Sequence, residues 1–410
     1  MMTTAFKPRL AFAVHCVAAM AIVVVASLLA PATEVTRAGL TDSTVVARLQ
    51  RAQSPLSAAL ITAMRASRAA PADPVLARAA ARIMIEQGRD LGDSRIVGAA
   101  SGILRPFLAT GDAETLYLSA TARQYQHDFN GALDLLDRAI AIDPRGINAR
   151  LSRATIYTVL GRLDDALVEC GTLSGLRPDV GFLCQSTALI LTDQAPVVAT
   201  RLAQILAQPG MLPDSLRPWA VGLQGEIAVL QGDDPAALSY FNGVIAADQT
   251  VIRERLLAAD VLLRLSRPQG VIDILADAPP VDGVLLRQVL ALRALNDTAA
   301  AAPLETELAR RVTLNLDLGL TSHAREDGLY FLLIAADPAA ALERAQVNWA
   351  LQHEIEDARL LIDAATAAGQ PEAAAPVADW IAAQHIVVPT LHLPAGVAPE
   401  LGPEPGPVSP

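Results

Sequence analysis

Residues 123–144 read RQYQHDFNGALDLLDRAIAIDP, and residues 156–178 read IYTVLGRLDDALVECGTLSGLRP. A shift of 34 positions brings Pro144 onto Pro178, Ala132 onto Ala166 and Phe129 onto Leu163. Just upstream Ala120 falls on Ala154, and Ala188 lies another 34 residues on. A second register with the same shift of 34 pairs Gly225 with Ala259, Gly232 with Ser266 and Phe241 with Leu275. A fixed period of this length marks stacked supersecondary units, none of which can bury its apolar face alone.

The chemistry of the unit is that of two antiparallel helices and a turn. Ala120, Ala154, Ala132 and Ala166 are small where two helices must approach, and a larger side chain there would overpack at a cost of ~1–3 kcal/mol. Gly161 and Gly232 suit the turn between the helices, because glycine enters left-handed backbone geometry without a Cβ penalty. Pro144 after Asp143 and Pro178 after Arg177 end the second helix, since proline disfavours helical geometry in the residue before it.

At these residues the chain resembles the tetratricopeptide repeat family, whose motif sets small residues, a glycine turn and a closing proline at this spacing. The likeness covers residues 113–180 and, more loosely, 218–280. Within 74–107, AARIMIEQGRDLGDSRIVGAASGIL reads as another helix pair. The stretch 348–384, NWALQHEIEDARLLIDAATAAGQPEAAAPVADWIAAQ, reads as a last one, with Gly369 at its turn. The resemblance implies an all-α fold, an α-solenoid of antiparallel helix pairs whose concave face is lined by the first helix of each unit. The candidate partner groove is then Tyr117, Thr121, Gln124 and Tyr125, continued by Leu151, Thr155 and Thr158 and by Gln185, Leu189 and Thr192. Such a mixed polar and apolar stripe suits a peptide or a partner helix. The lysine-rich carboxylate clamp of some family members has no counterpart, because Lys7 is the only lysine.

Composition agrees with a helical array. Of 410 residues 52% are apolar, yet only 4% are aromatic, and 78 alanines fill the difference. Alanine has the highest helix propensity, and the scarcity of β-branched and aromatic residues argues against a sandwich or barrel. The net charge of −11 excludes nucleic acid as a partner, since phosphate neutralisation supplies most of that affinity. The basic residues are 31 arginines beside that one lysine, a bias that fits a GC-rich bacterial genome.

The N-terminus reads as an export signal. Lys7 and Arg9 precede an apolar run from Leu10 to Ala30, and Ala30-Pro31-Ala32 follows as a small-residue cleavage site. The run of 21 residues also reaches across a bilayer. Two outcomes stay open: cleavage between Ala32 and Thr33, or a single retained membrane anchor. Either makes the protein exported, and places it in the periplasm or anchors it in the inner membrane with its bulk facing the periplasm. The expected segmentation is 1–32 signal peptide or anchor, 33–72 leader with a short helix, and 73–112 degenerate helix pair. It continues with 113–280 repeats, 281–388 degenerate helical repeats and 389–410 proline-rich disordered tail. Residues 207–218, 276–283 and 295–303 are expected to interrupt the stack.

Catalytic signatures are missing. There is no phosphate loop, no G-x-G-x-x-G, no G-x-S-x-G and no S-x-x-K. His353-Glu354-Ile355-Glu356-Asp357 lacks the second histidine of a zinc helix and reads as a solvated helix face near Arg359. No carboxylate or cysteine joins His385 and His392, so no metal and no cofactor is expected. Cys170 and Cys184 flank Pro178 at similar heights on an antiparallel hairpin and form a candidate disulfide. Closing a loop of 15 residues would add ~3 kcal/mol in the chain-entropy picture. The sequence thus reads as a non-enzymatic scaffold or adaptor that holds a protein or peptide partner at the bacterial envelope. Two alternatives are a membrane-anchored assembly factor for an envelope complex and an envelope-processing enzyme built on a helical array.

Overall fold

The computed structural model describes residues 57–397. The expected signal or anchor at 1–32, with its cleavage site at Ala32 and Thr33, and the tail beyond residue 397 lie outside the described residues. Among those described, nineteen α-helices follow one another. After α1 (Ala58–Ala69) come α2 (Pro74–Asp90), α3 (Ser94–Leu104), α4 (Ala113–Tyr125), α5 (Phe129–Ile142), α6 (Ile147–Val159) and α7 (Leu163–Leu176). Next are α8 (Pro178–Leu189), α9 (Ala195–Ala207), α10 (Arg217–Gln231), α11 (Asp234–Ala247), α12 (Ile252–Arg264) and α13 (Pro268–Leu275). The last are α14 (Asp282–Ala294), α15 (Thr298–Asp317), α16 (Ala324–Tyr330), α17 (Pro338–Trp349), α18 (Ile355–Ala367) and α19 (Ala375–Ala383). From α2 onward each even-numbered helix forms a pair with the odd-numbered helix after it.

Seven of these pairs turn by one device. A single left-handed residue ends the first helix: Gly92, His127, Gly161, Gly232, Ser266, Asn296 or Gly369. The next residue donates its N–H to the carbonyl five positions back, at 2.8–3.0 Å in all seven turns. This bond satisfies a carbonyl that the helix end leaves orphaned. In four turns the donor is an aspartate (Asp93, Asp128, Asp233 or Asp297), whose side chain then caps the first turn of the next helix. An acceptor there meets free N–H groups, and its negative charge suits the positive helix end. A left-handed residue followed by aspartate therefore reverses the chain in two positions. The expected glycine turns at 161, 232 and 369 take this geometry, and His127 and Ser266 adopt it where no glycine is present.

The alanines lie where the helices touch: Ala120, Ala132, Ala154, Ala166 and Ala188 are all at most 2% exposed. Two boundaries differ from expectation. Helix α15 begins directly after Asp297 and carries Pro303 inside it, so residues 295–303 are not a break. The Asp297 cap and the run of four alanines from Ala299 to Ala302 offset the one backbone bond that the proline removes. The chain also stays packed past Pro389, where Leu391 and Leu393 lie half-buried against the largest apolar cluster.

Left-handed geometry costs a non-glycine residue ~1–2 kcal/mol. Ser266 is exposed, so Ser266→Gly should raise stability by about 1 kcal/mol in a denaturant titration. Gly161→Ala should lower it by more, because φ is +69° and a Cβ would come within 2.4 Å of the Trp380 indole.

Candidate functional site

The even-numbered helices from α2 to α18 each contact the next even-numbered helix, α10 and α12 through the Arg253–Glu226 pair, so they form one continuous layer. The groove residues read from the sequence lie on this layer, except Thr192 in the turn after α8, but are largely engaged within it. Tyr117 and Tyr125 pack against the first apolar cluster, Leu151 against the cysteines and Leu189 against the largest cluster. Thr121, Thr155 and Thr158 each donate their hydroxyl to the carbonyl four residues back, and Thr192 to that of Leu189. Gln124 and Gln185 are half-buried.

Further along the layer lies a row of charges. Arg253 of α12 pairs with Glu226 of α10 at 2.7 Å, and Arg287 of α14 pairs with Asp260 of α12 at 2.6 Å. Arg325 of α16 reaches both Glu354 (2.5 Å) and Asp357 (2.6 Å) at the start of α18. The row curves back on itself. Glu354 feels Arg325, Arg253 and His127, while Glu356 feels Glu354, Arg325 and Arg253. Burial and the neighbouring Glu354 charge push the Glu356 carboxyl above its ordinary range. Burial acts the same way on Glu354, but Arg325 and Arg253 outweigh it and hold that carboxyl down. Glu226 beside Arg253 raises the guanidinium above its ordinary value, which keeps it charged throughout.

Sequence reasoning missed this row, although its signal was present. Glu226 and Asp260 are 34 residues apart, and so are Arg253 and Arg287. The expectation of a solvated helix face at 353–357 is corrected. Asp357 is buried and accepts from Arg325, from the Asn348 amide and from the Glu354 N–H, closing a capping box. Arg359 instead donates to the Thr390 hydroxyl at 2.6 Å. Local spacing could not show that this helix start faces the rest of the array.

The C-terminal elements pack onto turns far earlier in the chain. The Trp380 indole N–H donates to the Gly161 carbonyl (3.1 Å), and the His353 backbone N–H donates to that of Val159 (2.7 Å). Gln384 accepts from the Leu163 N–H, capping α7 from 221 residues away. Val387 donates to the Leu191 carbonyl and Thr390 to that of Leu230. Burial holds the His353 imidazole below its ordinary pKa, edge-on to Trp349 at 4.2 Å.

Cys170 of α7 and Cys184 of α8 are both buried and joined as a disulfide, with Cα atoms 5.4 Å apart. Among the described residues no group of histidine, cysteine and carboxylate side chains could hold a metal ion. His385 occupies the left-handed position after α19. No helix among the described residues is long and apolar enough to cross a membrane.

The described residues thus define an all-α array of consecutively packed helix pairs. No family model matches the sequence, and no curated protein matches it. Among solved structures the chain is similar to the Cut9–Hcn1 hetero-tetramer of the APC/C, at 11% identity and a TM-score of 0.40, over 80% of this chain and 68% of that one. It is also similar to a tetratricopeptide repeat protein from Parabacteroides merdae ATCC 43184 (15% identity, TM-score 0.36, 69% of this chain and 98% of that one). Yeast Tom70 is a third, at 10% identity and a TM-score of 0.37, over 79% of this chain and 80% of that one. The helix pairs themselves, rather than these distant likenesses, define the fold.

Behind Arg325 sits a buried aspartate. Asp327 accepts from Asn315 (3.0 Å) and Arg344 (3.2 Å), tying α16 to α15 and α17. Burial pushes its carboxyl up to about 6, against the opposing pull of Asn315 and Arg344. A raised acid favours the folded state while protonated, and that contribution is lost as the pH rises from about 4 through 6. The shift of about two units corresponds to about 3 kcal/mol. Between pH 4 and pH 7 the stability difference between wild type and Asp327→Asn should therefore move by about that amount in favour of the variant. A difference that stays flat across this range would contradict the assignment.

Proposed function

We propose that the chain is a scaffold of the bacterial periplasm that holds an extended segment of a partner protein along the charged row of its even-numbered helices. The observation that carries this reading is the row itself, repeated at the period of the helix pairs and still half open to solvent at Arg253 and Glu354. Guanidinium donors and carboxylate acceptors side by side along the row can meet the carbonyls and N–H groups of an extended backbone. Glu226, Asp260, Glu326, Glu354 and Glu356 outnumber Arg253, Arg287 and Arg325, so the segment carries basic residues.

Export is supported by the apolar N-terminal run and by the paired cysteines, since disulfides persist in oxidising compartments. Cleavage after Ala32 makes a free periplasmic scaffold, and a retained leader makes an anchored assembly factor. Intact mass of the protein isolated from cells separates the two. A chain beginning at Thr33, 2 Da below its reduced mass through the Cys170–Cys184 bond (about 2 Da is the mass of two hydrogens), is the expected result. A retained leader would sink the free form, and two free thiols would remove the support for export.

Partner holding is tested by photo-crosslinking in intact cells. A crosslinker at Glu356 should capture a partner, and one at Val168, exposed on α7, should not. Glu226→Arg, which replaces a carboxylate of the row by a like charge to the basic segment, should weaken that capture by at least about tenfold, as loss of a charged hydrogen bond does. Equal capture at both positions would defeat the reading.

A further inference from the structure

Between α3 and α4, away from the charged row, lies a cavity of about 280 Å³. Gly98, Ser101, Gly102 and Arg105 line it from one side, and Ser119 and Arg123 from the other. The first four follow one another at the spacing of a helix face, which leaves a trough floored by small residues and bounded by an arginine from each side.

Three independent features set this trough apart from ordinary packing. Gly102 sits inside α3, where glycine costs a helix ~1 kcal/mol relative to alanine, yet a Cβ there would meet nothing within 4 Å. Packing does not require this glycine, which is exposed in the last turn of α3, and its bare backbone leaves room for close approach of a ligand. The Ser101 hydroxyl is buried and has no hydrogen-bond partner, and leaving such a group unmade is unfavourable. Arg105 makes no ion pair among the described residues, in a chain where acidic residues outnumber basic ones by 43 to 32.

The chemistry of the rim is one-sided. Arg105 and Arg123 supply guanidinium donors, and the Gln126 amide nitrogen would lie 3.0 Å from a Cβ at Gly98. Ser119 has spent its proton on the Thr115 carbonyl. One carboxylate, Asp128, neutralises Arg123 in part from outside the trough, at 2.8 Å. We infer that the trough is a binding site for a small oxyanion, a carboxylate or a phosphate. Guanidinium groups pair with either by parallel charge-assisted hydrogen bonds. The volume, at the lower end of ligand pockets, limits the ligand to a compact anion.

The test uses the full chain and two probes, citrate and inorganic phosphate, with sodium chloride at matched ionic strength as the reference. Calorimetry and thermal unfolding should show saturable binding and a rise in Tm with at least one probe and none with chloride. Arg105→Gln should weaken that binding by at least about tenfold. Gly102→Leu fills the trough without touching a charge; it should fold at least as stably and lose the response. Citrate alone identifies a carboxylate site, phosphate alone a phosphate site, and both a general oxyanion site. No saturable response, or one that both variants keep, overturns the inference.

Discussion

The indole of Trp380 donates to the carbonyl of Gly161 while His353 lies over the same residue, so segments more than two hundred positions apart meet where not even a methyl group fits. Everything downstream of that contact depends on geometry set upstream of it. The left-handed residue fixes how each pair reverses, and small alanines fix how closely the two helices approach. Repeated pair after pair, these settings carry the last helices back to the turn between α6 and α7. Gln384, Val387 and Thr390 then secure the meeting at three successive turns.

The aspartates and arginines of this acidic chain have specific structural work. Asp73, Asp93, Asp112, Asp128, Asp233, Asp297 and Asp337 each accept from free N–H groups at a helix start. Other carboxylates pair arginines across neighbouring helices, as Glu226 and Asp260 do. Arginine suits this role because its planar fork meets a carboxylate at two points and stays charged when partly buried. A small-residue array has little aromatic surface to bury, and such pairs fix helix register where apolar contact is featureless.

The repeat was legible because its determinants are local. Ala120, Ala154 and Gly161 declare themselves by size at a fixed spacing, and their physical reasons act within one helix pair. His127-Asp128 and Asn296-Asp297 were harder, since neither His nor Asn is the residue that turn geometry favours most. Their aspartates were the better sign, because they cap the following helix. The charged row was missed for a different reason. Arg325 and Asp357 meet only when α16 packs against α18, and the run from His353 to Asp357 carries no local mark of what faces it. Thr121, Thr155 and Thr158 had the right helical face but not the right freedom, since a threonine hydroxyl in a helix readily turns to its own backbone.

Closure also changes the kind of object the array is. An open stack of helix pairs interacts only with nearest neighbours and can melt from either end, one unit at a time. Joining Trp380 to Gly161 adds a term between units that are distant along the chain. The middle units are then shielded from fraying by the last ones, and unfolding becomes more nearly all-or-none. A chain that emerges N-terminus first must hold its early units as an open stack until the last helices arrive, and only then does it close.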